Sequence, residues 1–178
     1  MDLEISPLAP KSFPQMPFVN GVRMATAKTE TKYKGRSDLL LIDLVSGTSV
    51  AGVLTKSIAP GHPVIWCRDI LPKGKARGLV VNAGNANVFN GKSGMQAVEA
   101  IAKSVGTLFH CTKNEVYVAS TGVIGEKLDP SKIVEKIATL DDDLQNQNWK
   151  DAAIAITTTD TFPKGSHRVV KVGKTTVN

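Results

Sequence analysis

Only two cysteines, Cys67 and Cys111, occur in 178 residues, too few for a disulfide framework and unlike any metal-ligand spacing. They read as small buried side chains in a reducing compartment. The three histidines, His62, His110 and His167, stand apart from the cysteines and from one another, which argues against a metal centre. Aromatic residues are scarce, at five Phe, two Trp and two Tyr, and the 22 basic residues behind the net charge of +6 are spread along the chain. A nucleic-acid-binding face gathers its Lys and Arg, with aromatics for stacking, so this charge suits an anionic small substrate better. No apolar run approaches the roughly 18 residues of a membrane span, and MDLEISPLAP has neither the basic nor the apolar region of a leader. The expectation is a folded cytoplasmic protein that binds neither nucleic acid nor membrane.

With 42% hydrophobic and 21% charged residues, the chain has the length and composition of a single domain. Residues 1–20 carry four prolines and no periodicity, the pattern of an extended arm, leaving 21–178 as one α/β domain. DLLLIDLV (38–45) reads as a buried strand and TSVAGVLT (48–55) as a second, joined through Ser46-Gly47 as a hairpin. PVIWCRDIL (63–71) sets Val64, Cys67, Ile70 and Leu71 on one helical face behind Pro63. GLVV (78–81) is a strand, and the helix after it turns Met95, Val98, Ala102, Val105 and Phe109 to the core. EVYVA (115–119) is a further strand, followed by a turn at Ser120-Thr121-Gly122. Helices follow at 131–140 and 149–157, with the acidic run 141–143 as a solvated linker between them. The tail forms two short strands around Gly173. Alternating strands and helices with an early hairpin imply mixed β-sheets layered against helices.

Three stretches of small polar residues sit at element ends, where sites are grafted. VVNAGNANVFNGKS (80–93) has the strand, loop, helix context of a phosphate loop and ends in Gly91-Lys92-Ser93, but Ala86 stands where that motif needs its first glycine. Its asparagines Asn82, Asn85 and Asn87 satisfy either backbone groups or a ligand, and Ser93 suits a helix N-cap. Thr121 and Gly122 either aim backbone N–H groups at one point, as an oxyanion hole does, or form an ordinary turn. TTTDT (157–161) offers hydroxyls and the Asp160 carboxylate to a polar ligand or a substrate ammonium, or simply ends a helix. No Ser-His-Asp or Cys-His pair is apparent, so the chain shows no nucleophile of its own.

YKGRSDLLLIDL, TSVAGVLTKS, APGHPVIWCRDIL, ARGLVVNAGNAN, VASTGVIGEKL and AIAITTTDTFPK follow, in order and spacing, the pattern of the ornithine acetyltransferase family, also called the bifunctional glutamate N-acetyltransferase family of arginine biosynthesis. The resemblance runs from about residue 7 to the end. It implies an α chain cut from a precursor by self-cleavage before a threonine, which becomes the N-terminal nucleophile of a β chain and carries acetyl from N-acetylornithine to glutamate. Some members accept acetyl-CoA as donor, and no metal or other cofactor is implied. The family's oxyanion-hole pair falls on Thr121 and Gly122, and its substrate-contacting threonine on Thr158. The sequence stops before any segment like G-x-A-K-G-x-G-M and the cleaved bond, so the isolated chain is expected to be inactive and to work in an oligomer of αβ units. The rival reading is a non-catalytic nucleotide-binding or partner-binding module.

Overall fold

Strand β2 (Leu39–Leu44) carries five aliphatic residues in six positions, a run that needs apolar cover on both faces. It receives that cover from the middle of a four-stranded sheet, ordered β1 (Val22–Ala27), β2, β3 (Gly78–Asn85) and β4 (Val116–Val123). β1, β2 and β3 run antiparallel, whereas β3 and β4 are parallel. A parallel step needs a long crossover, and α2 (Gly91–Leu108) supplies it. The computed structural model that gives this architecture describes residues 4–144 and 147–178.

The two faces of β2 serve two helical layers. Leu39 and Leu41 join Val80 of β3 and meet Val98, Ile101, Ala102 and Val105 of α2, with α1 (His62–Ile70) and α3 (Ser131–Ile137) completing the main core. Leu40 points the other way, with Met24 of β1, against Ala152 and Ala155 of α4 (Trp149–Ala155). The sheet is therefore sandwiched between helices. Mixed strands layered against helices are as the sequence implies, and the expected α2 face is buried, with Met95 only partly so.

β4 is an edge strand, and α1 covers part of that edge. The Trp66 Nε1 donates to the Val116 carbonyl at 2.9 Å and the Cys67 Sγ to the Val118 carbonyl at 3.3 Å, blunting a surface that would otherwise pair with other chains. On β2, in line with Gly78 and Val116, Asp43, 6% exposed, is gripped by Arg23 at 2.7 Å and approached by the Arg77 Nη1 at 3.0 Å. The Arg77 contact is ionic and outside hydrogen-bond alignment.

Several sequence expectations are corrected. Residues 48–55 do not pair with β2: both edges of β2 are already taken by β1 and β3, so no hairpin partner can be added. Thr48 N still bonds the Val45 carbonyl, closing a turn, but the chain then makes only an isolated bridge, Ser49 to Lys75. One of the two strands that do pair with β2 is β1, to which the sequence patterns assign no element. The buried residue of α1 beside Pro63 and Ile70 is Trp66, while Val64 and Cys67 are half-buried. Ser120-Thr121-Gly122 does not turn, since β4 runs through to Val123. Ser93 lies inside the first turn of α2, its Oγ donating to the carbonyl of Asn90, which holds the cap position. Helices α3 and α4 end at Ile137 and Ala155, short of the expected 140 and 157.

In the arm expected at 1–20, residues 1–3 lie outside the described residues, and residues 4–20 form neither helix nor strand. The amide of Val19 donates to the Oε1 of Gln147 at 2.7 Å, fixing the arm's end beside α4. The tail forms the expected pair β5 (Val170–Val172) and β6 (Thr175–Val177), and both strands are exposed.

Candidate active site

Because β3 and β4 are parallel, their carboxyl ends emerge together, the place where open α/β sheets hold ligands. NAGNAN and Ser120-Thr121-Gly122 are those two ends, in register from Asn82 opposite Ser120 to Asn85 opposite Val123. The Ser120 hydroxyl donates to the Asn82 Oδ1 at 2.6 Å, and the Asn82 Nδ2 donates to the Asn85 carbonyl at 3.0 Å. Asn85 donates to the Glu126 carbonyl and accepts from the Asn87 amide. Asn87, fully buried, donates to the Gly94 carbonyl at 2.9 Å and accepts from the Asn90 Nδ2. All three asparagines therefore satisfy backbone groups. They build the site's frame.

Gly122 sits directly opposite Gly84 in this frame. Its φ is +132°, and a Cβ built on it would fall 2.3 Å from the Gly84 carbonyl carbon and 2.5 Å from the Asn85 nitrogen. Only glycine fits there. Gly84, at φ +107°, is crowded in turn by Lys32 and Tyr33 of the β1–β2 loop, whose atoms would lie 2.7 and 3.3 Å from its Cβ. Val116 and Val118 turn their carbonyls outward to α1, and the period of two puts the Ser120 backbone on the same open edge. Thr121 is half-buried beside it.

Two openings flank this end of the sheet. A polar cleft of about 280 Å³ is lined by Lys32, Gly84, Asn85, Glu126, Lys127 and Lys132; Lys32 pairs with Glu126 at 2.9 Å across it. An apolar groove of about 390 Å³ runs along β4 past Val64, Cys67, Tyr117 and Ser120. Burial pushes the Cys67 and Tyr117 protons to higher pKa, and burial together with nearby Glu115 does the same for Cys111. Neither thiol is poised as a thiolate nucleophile.

Thr158 is half-buried and lies past the end of α4, which packs on β1 and β2. Thr121 and Gly122 are consecutive on β4, and the residue before Thr158 is tied to the β1–β2 loop, which lies at the same end of the sheet. The Thr158 amide approaches the Asp160 Oδ2 at 3.4 Å, and Lys164 pairs with the same carboxylate. That hydrogen bond from Lys164, first, and the Thr158 amide hold the Asp160 carboxyl below its ordinary pKa. Asp160 is accordingly paired with Lys164 within the chain.

A residue the sequence patterns did not single out links these parts. The Arg36 Nη2 donates to the Thr157 carbonyl at 2.5 Å and to the Thr157 hydroxyl at 3.1 Å, and reaches the Ile154 carbonyl at 3.4 Å. Nothing in the spacing of YKGRSDLL announces such a contact 121 residues away.

A model described as the ArgJ family matches residues 23–178, which include Thr121, Gly122 and Thr158. The chain belongs to the ArgJ family. Curated proteins named arginine biosynthesis bifunctional protein ArgJ resemble it throughout: that of Mesorhizobium japonicum is 52% identical over 181 residues, spanning 99% of this chain and 43% of that protein. The Bradyrhizobium diazoefficiens protein is 49% identical over 177 residues, with the same two coverages. The chain thus spans about 43% of the length of these ArgJ relatives. Among solved structures, the ornithine acetyltransferase of Mycobacterium tuberculosis, complexed with ornithine, superposes with a TM-score of 0.77 at 31% identity, covering 82% of this chain and 79% of that one. The ArgJ of Bacillus halodurans gives 0.70 at 30% identity, covering 80% and 74%. Among the described residues, no helix of this ArgJ-family chain is long and apolar enough to cross a membrane.

Proposed function

We propose that this chain supplies the oxyanion-stabilising part of an acetyltransferase that moves acetyl from N-acetylornithine to glutamate in arginine biosynthesis, with acetyl-CoA as a second donor. The observation that carries this reading is the position of Thr121 and Gly122 at the carboxyl end of edge strand β4, in a chain of the ArgJ family. The nucleophile in this scheme is the N-terminal threonine of a β chain from the same precursor, whose α-amine takes the hydroxyl proton. Its oxygen adds to the acetyl carbonyl, and the resulting oxyanion is held by donors at Thr121 and Gly122. Collapse breaks the amide C–N bond, ornithine leaves with the proton, and acetyl-threonine remains. The glutamate amine then attacks that ester, and the threonine oxygen leaves as the alcohol. Acyl exchange of this kind requires no metal or redox cofactor, and the reaction belongs in the cytoplasm with its amino-acid substrates.

Thr158 contacts substrate in this scheme, and the two chains assemble as an oligomer of αβ units, so the 178 residues alone are inactive. The nucleotide-binding alternative has less support, because the loop of residues 82–93 spends its asparagine side chains on backbone groups.

The test is transfer of labelled acetyl from N-acetylornithine to glutamate by this chain co-produced with the remainder of its longer polypeptide. Thr121→Ala should lower kcat by about 100- to 1,000-fold, the usual loss of one oxyanion donor, while the complex still assembles. No transfer by the unaltered complex, or full transfer by Thr121→Ala, would overturn the proposal.

A further inference from the structure

We infer that Arg36 is a positioning residue for acetyl transfer, holding the segment that carries Thr158 in place from the opposite end of the chain. The inference rests on the acetyltransferase reading above and adds a residue to it. Arg36 lies in the eleven-residue loop 28–38 between β1 and β2. The base of that loop is fixed by Asp38, fully buried, whose carboxylate accepts from the Thr29 amide at 2.6 Å and the Thr29 hydroxyl at 2.8 Å. From this anchored base the guanidinium reaches the carbonyl end of α4. The carbonyls of a last helical turn have no partner within the helix, and a cation there is favoured by the helix dipole. Arg36 meets both needs through the Ile154 and Thr157 carbonyls. It also bonds the Thr157 hydroxyl, so the carbonyl and the hydroxyl of the residue preceding Thr158 are both held.

The same loop touches the other half of the site. The Arg36 guanidinium lies 4.4 Å over the ring of Tyr33, and Tyr33 with Lys32 closes on Gly84, the partner of Gly122. One loop therefore spans from the Gly84–Gly122 contact to Thr157. Residues 157–162 have no helix or strand of their own to fix them, which leaves Arg36 as the brace across their start. A lysine cannot replace it fully. Its ammonium lacks the planar face that lies over Tyr33 while Nη2 serves the helix-end acceptors.

The experiment uses the chain co-produced with the remainder of its polypeptide, in unaltered, Arg36→Ala, Arg36→Lys and Thr158→Ala forms and with Arg36→Ala and Thr158→Ala combined. Misplacement of a binding group by about 1 Å is worth up to about 100-fold. Arg36→Ala should raise KM for N-acetylornithine by about 10- to 100-fold with kcat changed less than about threefold, and Arg36→Lys should fall between. Adding Thr158→Ala to Arg36→Ala should bring little further loss, because the two act through one contact. Hydrogen exchange at amides 157–162 should rise at least about tenfold in Arg36→Ala while β2 and β3 keep their protection. Unchanged exchange at 157–162 overturns the positioning role whether or not the complex transfers acetyl. A uniform rise over the whole sheet, or exchange that rises with KM unchanged, reduces Arg36 to a structural residue and also overturns it. If the unaltered complex transfers nothing, the acetyltransferase reading fails and the reaction role of Arg36 with it, while exchange still decides whether Arg36 holds the segment.

Discussion

Replacing Gly122 with alanine tests the geometry of the candidate site by stability alone, before any activity is measured. Two penalties combine at this position. A φ of +132° is a region that side chains avoid, at about 1–3 kcal/mol. The added methyl would also meet the Gly84 carbonyl carbon at 2.3 Å, the Asn85 nitrogen at 2.5 Å and the Gly84 oxygen at 2.6 Å. These are backbone atoms of the neighbouring strand, so no rotamer change relieves the clash and β3 must move, adding about 1–3 kcal/mol or more. The total, about 2–6 kcal/mol, is a large share of the 5–15 kcal/mol typical of a domain. Gly47 provides the reference: its φ is +89° and a Cβ there meets nothing within 4 Å, so Gly47→Ala carries only the conformational penalty. Urea denaturation followed by the fluorescence of Trp66 and Trp149 reads both variants. With a slope of about 2 kcal/mol/M, Gly122→Ala should unfold about 0.5–1.5 M below Gly47→Ala. Midpoints within about 0.2 M of each other would refute the strand-contact argument. Thr121→Ala, which removes only a half-buried hydroxyl and methyl, should stay within about 1.5 kcal/mol of the unaltered protein.

Asp43→Asn should destabilise by about 2–3 kcal/mol, below the range for fully buried pairs because Arg77 keeps 17% and Arg23 52% of its side-chain surface exposed; Arg23→Ala should cost under about 1 kcal/mol, and equal losses in the two urea titrations would contradict this ranking. Asp160 has a folded pKa below its unfolded value, so the contacts to Lys164 and Thr158 are present above the ordinary carboxyl value of about 3.9 and are lost as pH falls through the lower folded value. The Thr158 amide shift, followed by NMR, should titrate with a midpoint below that ordinary value and move up towards it in Lys164→Met; a midpoint at or above the ordinary value would oppose the assignment.

The parts of the fold legible in the sequence are those where one local pattern determines the answer. The helical period of Val98, Ala102, Val105 and Phe109 places α2, and the two-sided apolar run of 39–42 places a strand with cover on both faces. The failed hairpin shows the limit. TSVAGVLT has the composition of a strand and follows a real turn, but whether it pairs depends on whether β2 has a free edge. That edge is filled by GVRMATA and GLVV, one of them earlier in the chain and the other some thirty residues later, and no local signal reports such competition. Trp66 was likewise hidden. It falls on the helical period of Pro63 and Ile70, but the β4 edge it packs on and bonds at Val116 lies 50 residues away.

The candidate site divides along the same line. Its small polar stretches stand out because glycine, threonine and asparagine at element ends are locally unusual, and the strand ends of NAGNAN and STG do meet. The Gly84–Gly122 contact is different, because each glycine is explained only by the other strand's backbone. Arg36 is more hidden still, as one basic residue among 22 whose partners lie in a helix end that the sequence places two residues too far along. The consequence for function is directional. Substitutions at Thr121 should alter rate with little effect on stability, those at Gly122 should alter stability first, and those at Arg36 should alter substrate binding through Thr158. A frame of backbone contacts, asparagine amides and one guanidinium separates these three effects, since each residue engages a different class of atom.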